Sequence, residues 1–147
     1  MRQTNVTHEG KRTKRIRTRA IIACTDPEIR HVLISVLREF GLQPVFLEKL
    51  DDLRLLLAQQ ETVALFIQSR FVKSGFREVL NAAERPDARV PVVVCSEFYD
   101  KDIYMEAMTQ GAFDYLAFPY QHREVAWVVN NAVNWSPLPP SVHHHAA

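Results

Sequence analysis

Few side chains in this 147-residue sequence are equipped for chemistry, and their spacing narrows the options. Asp26 and Glu97 are carboxylates placed just after apolar runs, where an acid could accept a phosphoryl group or hold a cation. Ser69 and Ser96 are hydroxyls in similar places. Cys24 and Cys95 are the only cysteines, and both end apolar runs. They read as buried thiols in a reducing, cytoplasmic setting, with no disulfide. His31 and His122 lie on or beside helical stretches, where a solvated surface position is the default. No Ser-His-Asp or Cys-His set can be placed. The four glycines form no phosphate loop. His143, His144 and His145 could bind a metal weakly, but read as a tag remnant or idle tail. The expectation is a protein that is not an enzyme.

The elements that would position these residues alternate regularly. Residues 20–24 (Ala-Ile-Ile-Ala-Cys) form a short apolar run, a buried strand candidate. Asp26 can then cap a helix, Pro27 suits its first position, and Glu28 favours its positive end. Ile29, Val32, Leu33, Val36, Leu37 and Phe40 recur at helical spacing, and Gly41 stops the helix. The same logic repeats. Strands are expected at residues 44–47, 63–67, 90–95 and 114–117. Helices are expected around Leu50–Leu57, up to Glu84, over 100–109 and over 121–134. Near-continuous apolar strands separated by helices imply a parallel sheet covered on both faces. The expected fold class is α/β: one doubly wound, five-stranded parallel sheet in order 2-1-3-4-5, a flavodoxin-like three-layer sandwich. Its site would lie beyond the carboxyl ends of the strands.

The ends of the chain differ from its middle. Residues 1–19 hold seven basic side chains against Glu9, a net of +6, and the rest is at −5. Residues 1–18 read as a disordered basic arm, 19–135 as the domain, and 136–147 as a Pro/His-rich tail. No apolar run approaches the ~20 residues of a membrane span, and no secretory h-region opens the chain.

At the expected strand ends stand Cys24-Thr25-Asp26, Gln68-Ser69-Arg70, Ser96-Glu97 and Phe118-Pro119. The stretch Ile-Ile-Ala-Cys-Thr-Asp-Pro-Glu-Ile-Arg from Ile21 resembles the first strand and helix start of response-regulator receiver domains. Pro-Val-Val-Val-Cys-Ser from Pro91 resembles their fourth strand. Gln-Gly-Ala-Phe-Asp-Tyr-Leu-Ala-Phe-Pro-Tyr from Gln110 is similar to their Gly-Ala-x-Asp-Tyr-Leu-x-Lys-Pro-Phe stretch. The likeness spans residues 19–134.

That resemblance implies a phosphoacceptor Asp after strand 3, an acidic pair after strand 1 for Mg²⁺, a hydroxyl after strand 4 and a lysine after strand 5. Here Gln68 takes the acceptor's place, Cys24 and Thr25 take the acidic pair's, and Phe118 takes the lysine's. Only Ser96 matches, with Asp26 nearby as a helix cap. The expectation is a degenerate phosphorylation pocket, with no cofactor and no Mg²⁺. Tyr115 occupies the switch aromatic's place, and the bond before Pro119 is expected to be cis. A pocket with Phe118 folded into it would fit this reading.

Three functions follow. The first is a two-component signalling module, not phosphorylated, that binds a protein partner or a second copy through helix 4, strand 5 and helix 5. Tyr104, Met108, Tyr120 and Trp127 are its candidate contacts, and phosphotransfer from a histidine kinase is not expected. The second is an active receiver in which Glu97 or Asp26 supplies the missing acid. The third is nucleic-acid or anionic-surface binding by the six cations from Lys11 to Arg19, with a solvated tail favoured over it.

Overall fold

The computed structural model describes residues 18–59, 61–72, 75–84 and 89–135. The strands are β1 (Arg19–Ala23), β2 (Gln43–Phe46), β3 (Thr62–Gln68), β4 (Val92–Ser96) and β5 (Asp114–Ala117). The helices are α1 (Pro27–Glu39), α2 (Leu53–Gln59), α3 (Arg77–Ala83), α4 (Lys101–Thr109) and α5 (His122–Asn134), with 3₁₀ turns at Leu50–Asp52 and Ser69–Phe71. All strand pairs are parallel, in the order β2-β1-β3-β4-β5. This is the doubly wound sheet that the alternating pattern predicts.

Strand alternation divides the core into two layers, because successive side chains leave a strand on opposite faces. Ile21, Ala23, Leu65, Ile67, Val92 and Val94 meet Leu53, Leu57, Val79 and Ala107 on one face. Ala20, Ile22, Ala64, Phe66, Val93 and Leu116 meet Leu33, Leu37, Val125 and Val129 on the other. So α2, α3 and α4 cover one face, and α1 and α5 the other. Both faces being apolar explains why the strands read as continuous runs. Strand β2 is the exception. It lies at the sheet edge, is exposed or half-buried, and carries Pro44, which an edge tolerates.

Local chemistry sets the helix ends. Asp26 Oδ1 accepts the Glu28 N–H at 2.8 Å and Pro27 opens α1. Asp100 Oδ1 accepts the N–H groups of Asp102 and Ile103 at 2.9 and 3.3 Å, opening α4. Gly41, at φ 72°, lets the chain leave α1 and turn into β2.

Most strand boundaries shift by one or two residues, and two of these shifts have a clear cause. Strand β4 begins at Val92, since the amide of Val90 bonds back to the Ala83 carbonyl at 3.0 Å instead of joining the ladder. Arg19, counted among the cations of the arm, is the first residue of β1. It is buried and donates to the Leu56 carbonyl at 2.5 Å. Burial lowers its pKa from the ordinary arginine value. Of the six cations from Lys11, Arg19 is therefore spent inside the fold. The other five, and the tail from 136 to 147, lie outside the described residues.

Candidate functional site

Register brings the candidate residues together at one edge of the sheet. Gln68 ends β3 opposite Cys95, and Ser96 ends β4 opposite Ala117. Ile22 and Ala23 pair with Phe66 and Ile67, so Cys24, Thr25 and Asp26 leave β1 beside Gln68.

Gln68 is only 1% exposed. Its Oε1 accepts the backbone N–H groups of Thr25 at 2.9 Å and Asp26 at 3.1 Å. The Thr25 hydroxyl donates more weakly to the same oxygen, at 3.4 Å. Two backbone donors settle which amide atom is oxygen, because an NH₂ group cannot accept. Nε2 then points elsewhere, and it has no partner among the described residues. The amide therefore acts as a clamp on the loop between β1 and α1.

The neighbouring groups are committed too. Asp26 Oδ1 is engaged at the start of α1. The Ser96 hydroxyl donates to the Phe98 carbonyl at 2.7 Å. Glu97 pairs with Arg70 at 2.6 Å, partly exposed to solvent. The Ser96 carbonyl receives the Phe118 N–H at 3.2 Å and the Tyr120 hydroxyl. Burial pushes the Tyr120 phenol well above its ordinary value. The Phe118–Pro119 peptide bond is cis.

Phe118 is not folded into the pocket. It is 46% exposed and meets the Tyr120 ring edge-on at 5.8 Å. The Tyr120 hydroxyl takes the inward hydrogen bond, and the Phe118 ring stands at the surface.

Cys24 and Cys95 are free and buried. A hydrogen bond with Cys24, then burial, hold the Cys95 thiol well above the ordinary thiol range. It is a poor nucleophile, since the thiolate is the reactive form.

Tyr115 is 9% exposed. Its ring is edge-on to Tyr104 at 5.5 Å and to Tyr99 at 5.9 Å. Its hydroxyl accepts the Asp100 N–H at 3.2 Å. Of the candidate contacts, Tyr104 and Met108 pack partly against one core layer and Tyr120 against the other. Trp127 is 64% exposed on α5. Residue types alone did not reveal the Gln68 clamp or the place of Tyr99 in the aromatic cluster. The pair Phe98-Tyr99 directly after Ser96 was the available signal for the latter.

An open cleft of about 630 Å³ lies beside Gln68, with Ser69, Val72 and Phe76 on one side and the turn after Ser96 on the other. Gln68, Arg70, Ser96, Phe98, Ile103 and Glu106 are among its lining residues.

Neither a family model nor a curated protein matches the chain. Solved structures do. A putative response regulator from Chloroflexus aurantiacus aligns at TM-score 0.69 and 19% identity, over 81% of this chain and 98% of that one. The N-terminal signal receiver domain of a Bacteroides fragilis response regulator aligns at 0.69 and 17%, over 81% and 98%. The receiver domain of sensor histidine kinase PA1611 from Pseudomonas aeruginosa aligns at 0.65 and 16%, over 80% and 98%. The chain has the receiver fold.

The last of these structures corrects one expectation. It holds a magnesium ion coordinated in its active site cleft, so the fold accommodates the cofactor that the sequence reading set aside. In this chain, Asp26 and the side-chain oxygens of Gln68 and Thr25 lie together where β1 and β3 end. Among the described residues, no group of three His, Cys, Asp or Glu side chains gathers to hold a metal. No helix among the described residues is long and apolar enough to cross a membrane.

Proposed function

We propose that this chain is a receiver-like signalling module that works by protein–protein contact, without phosphoryl transfer to residue 68. The Gln68 amide carries the proposal. A carboxamide is a poor nucleophile, and the side-chain oxygen of Gln68 is engaged by two backbone N–H groups. The nearby acids offer no replacement. Asp26 caps α1, and Glu97 is paired with Arg70. Residue 118 presents an exposed phenyl ring where a lysine would contact phosphate.

With no phosphoryl trigger, Tyr115 stays in one place. Its hydroxyl bond to the Asp100 amide and its two edge-on aromatic contacts support that reading. Signalling then runs through a surface on α4, β5 and α5, recognised by a protein partner or a second copy. Trp127 is its anchor, because a large exposed aromatic contributes most when a partner covers it.

Two measurements test this. The chain is incubated with acetyl phosphate and Mg²⁺, and its intact mass is recorded. The expected mass is unchanged, and a stoichiometric phosphoryl adduct refutes the proposal. Self-association and partner capture are then compared between the native chain and Trp127→Ala. Loss of the interaction with the fold intact is expected. Full retention of every interaction removes this surface from consideration.

A further inference from the structure

We propose that the outer face of α4 and the turn before it bind the chain's own basic arm, residues 11–17. The binding itself does not rest on the proposed signalling role.

The face is apolar and acidic together. Phe98, Tyr99 and Met105 fall within eight residues, and each is more than half exposed. Helical spacing brings Asp102, Met105, Glu106 and Thr109 to the outer side of α4, beside Lys101. Asp102 and Glu106 stand one turn apart with like charge, an arrangement that destabilises a helix. Neither takes part in an ion pair among the described residues. Residues 97–114 hold five acids against Lys101, and Glu97 alone of the five is paired with a described cation. Scattered exposed apolar residues are ordinary, but a cluster rimmed by polar groups marks a contact surface.

Charge selects the occupant. A nucleic acid or an anionic membrane is repelled by this face, and a cationic segment is attracted. Asp102 and Glu106 suit ammonium and guanidinium groups, and Phe98 and Tyr99 offer ring faces for guanidinium stacking. Met105 suits the methylene stems of Lys and Arg. The segment Lys11-Arg12-Thr13-Lys14-Arg15-Ile16-Arg17 carries five cations in seven positions, the densest basic block in the chain.

The place where the arm joins the fold puts this face within reach. The strands are parallel, so β1 begins at the same sheet edge as β4 and β5. The chain returns to that edge just after α4, where the Phe113 N–H donates to the Val92 carbonyl at 2.7 Å. Tyr104 on α4 meets Tyr115 on β5, and β5 lies three strands from β1, about 14 Å across the sheet. The eight steps from Lys11 to Arg19 span up to about 26 Å. Attachment to the same chain holds the arm at an effective concentration of about millimolar, so contacts that are individually weak and screened by salt suffice. An arm seated on α4 competes with any partner for that face. This consequence alone rests on the proposed signalling surface.

The test is zero-length carbodiimide coupling of the dilute full chain, which joins an amine to a carboxylate only where the two touch. Lys11 and Lys14 should link to Asp102 and Glu106 in monomer-sized species, read by mass analysis of the digested chain. Raising NaCl from about 50 to about 500 mM should cut that yield about fivefold. A ¹⁵N spectrum gives a second readout, since the same salt step should shift the Phe98, Met105 and Glu106 amides. In a chain carrying Lys11→Gln, Arg12→Gln, Lys14→Gln, Arg15→Gln and Arg17→Gln together, which alters no described residue, those amides should stay in place. Links that fall equally on acids away from α4, such as Glu28 and Glu124, overturn the proposal. So do links confined to dimer-sized species, which put a second copy's arm on α4, and equal salt shifts in the native chain and the variant. Such a failure leaves the phosphodonor and Trp127 experiments standing, since neither reads the arm.

Discussion

Replacing Gln68 with Leu isolates the clamp between β3 and the loop that starts α1. The two side chains are similar in size, so the cavity left behind is small. The change removes one acceptor that serves two backbone donors, Thr25 N–H and Asp26 N–H. Each such bond contributes roughly 1 kcal/mol net. Thr25 is exposed and Asp26 half-buried, so water can reach the freed donors and the loss stays near 2 kcal/mol. In the other direction, the substitution deletes Nε2, which has no partner among the described residues, and relieves its desolvation cost, about 1 kcal/mol. The expected net destabilisation is about 1 kcal/mol, a fall in melting temperature of about 4 °C for a domain of this size. Urea unfolding at 25 °C measures the first quantity. Amide hydrogen exchange at Thr25 and Asp26 measures the cause, and both should exchange about fivefold faster. Unchanged exchange at these two amides refutes the clamp, whatever happens to the overall stability.

Other expectations follow from the same geometry. Asp100→Ala removes the acceptor for two N–H groups at the start of α4 and should cost about 1 kcal/mol, while Asp100→Asn recovers most of it; urea midpoints decide. Trp127→Ala should change unfolding free energy by less than about 0.5 kcal/mol, because the ring is mostly exposed. A larger loss would show that the ring packs within the fold. Native Cys95 should resist a thiol reagent such as Ellman's at neutral pH and react only after denaturation, because its thiol pKa is raised. The sign of the linkage follows. A thiol pKa raised in the folded state contributes stability that is complete below the unfolded thiol's pKa of about 8.5 and is lost as pH rises from there toward the folded value. Stability measured from pH 7 to 10 should therefore decline, and Cys95→Ala should flatten that decline.

Much of the architecture was legible because its signals are local. Short apolar runs, the Asp26-Pro27 start and the Gly41 stop each act within a few residues. Their alternation admits few topologies, and the parallel order β2-β1-β3-β4-β5 is the one expected. The absence of an acid at residue 68 and of a lysine at residue 118 was likewise plain from residue types. What those residues do instead was not. The Gln68 bonds join positions 42 and 43 residues apart, and only the register of β1 against β3 brings them together. Phe118 was placed at the pocket, but its ring is 46% exposed, while the Tyr120 hydroxyl reaches the Ser96 carbonyl across 24 residues. Arg19 looked like one more cation of a solvated arm until β1 pairing carried it inward. Periodicity and capping depend on neighbours in the chain, so the sequence by itself determined the elements and their order. A side chain's hydrogen-bond partners depend on neighbours in space, so only the tertiary structure decided that Gln68 clamps the loop that opens α1.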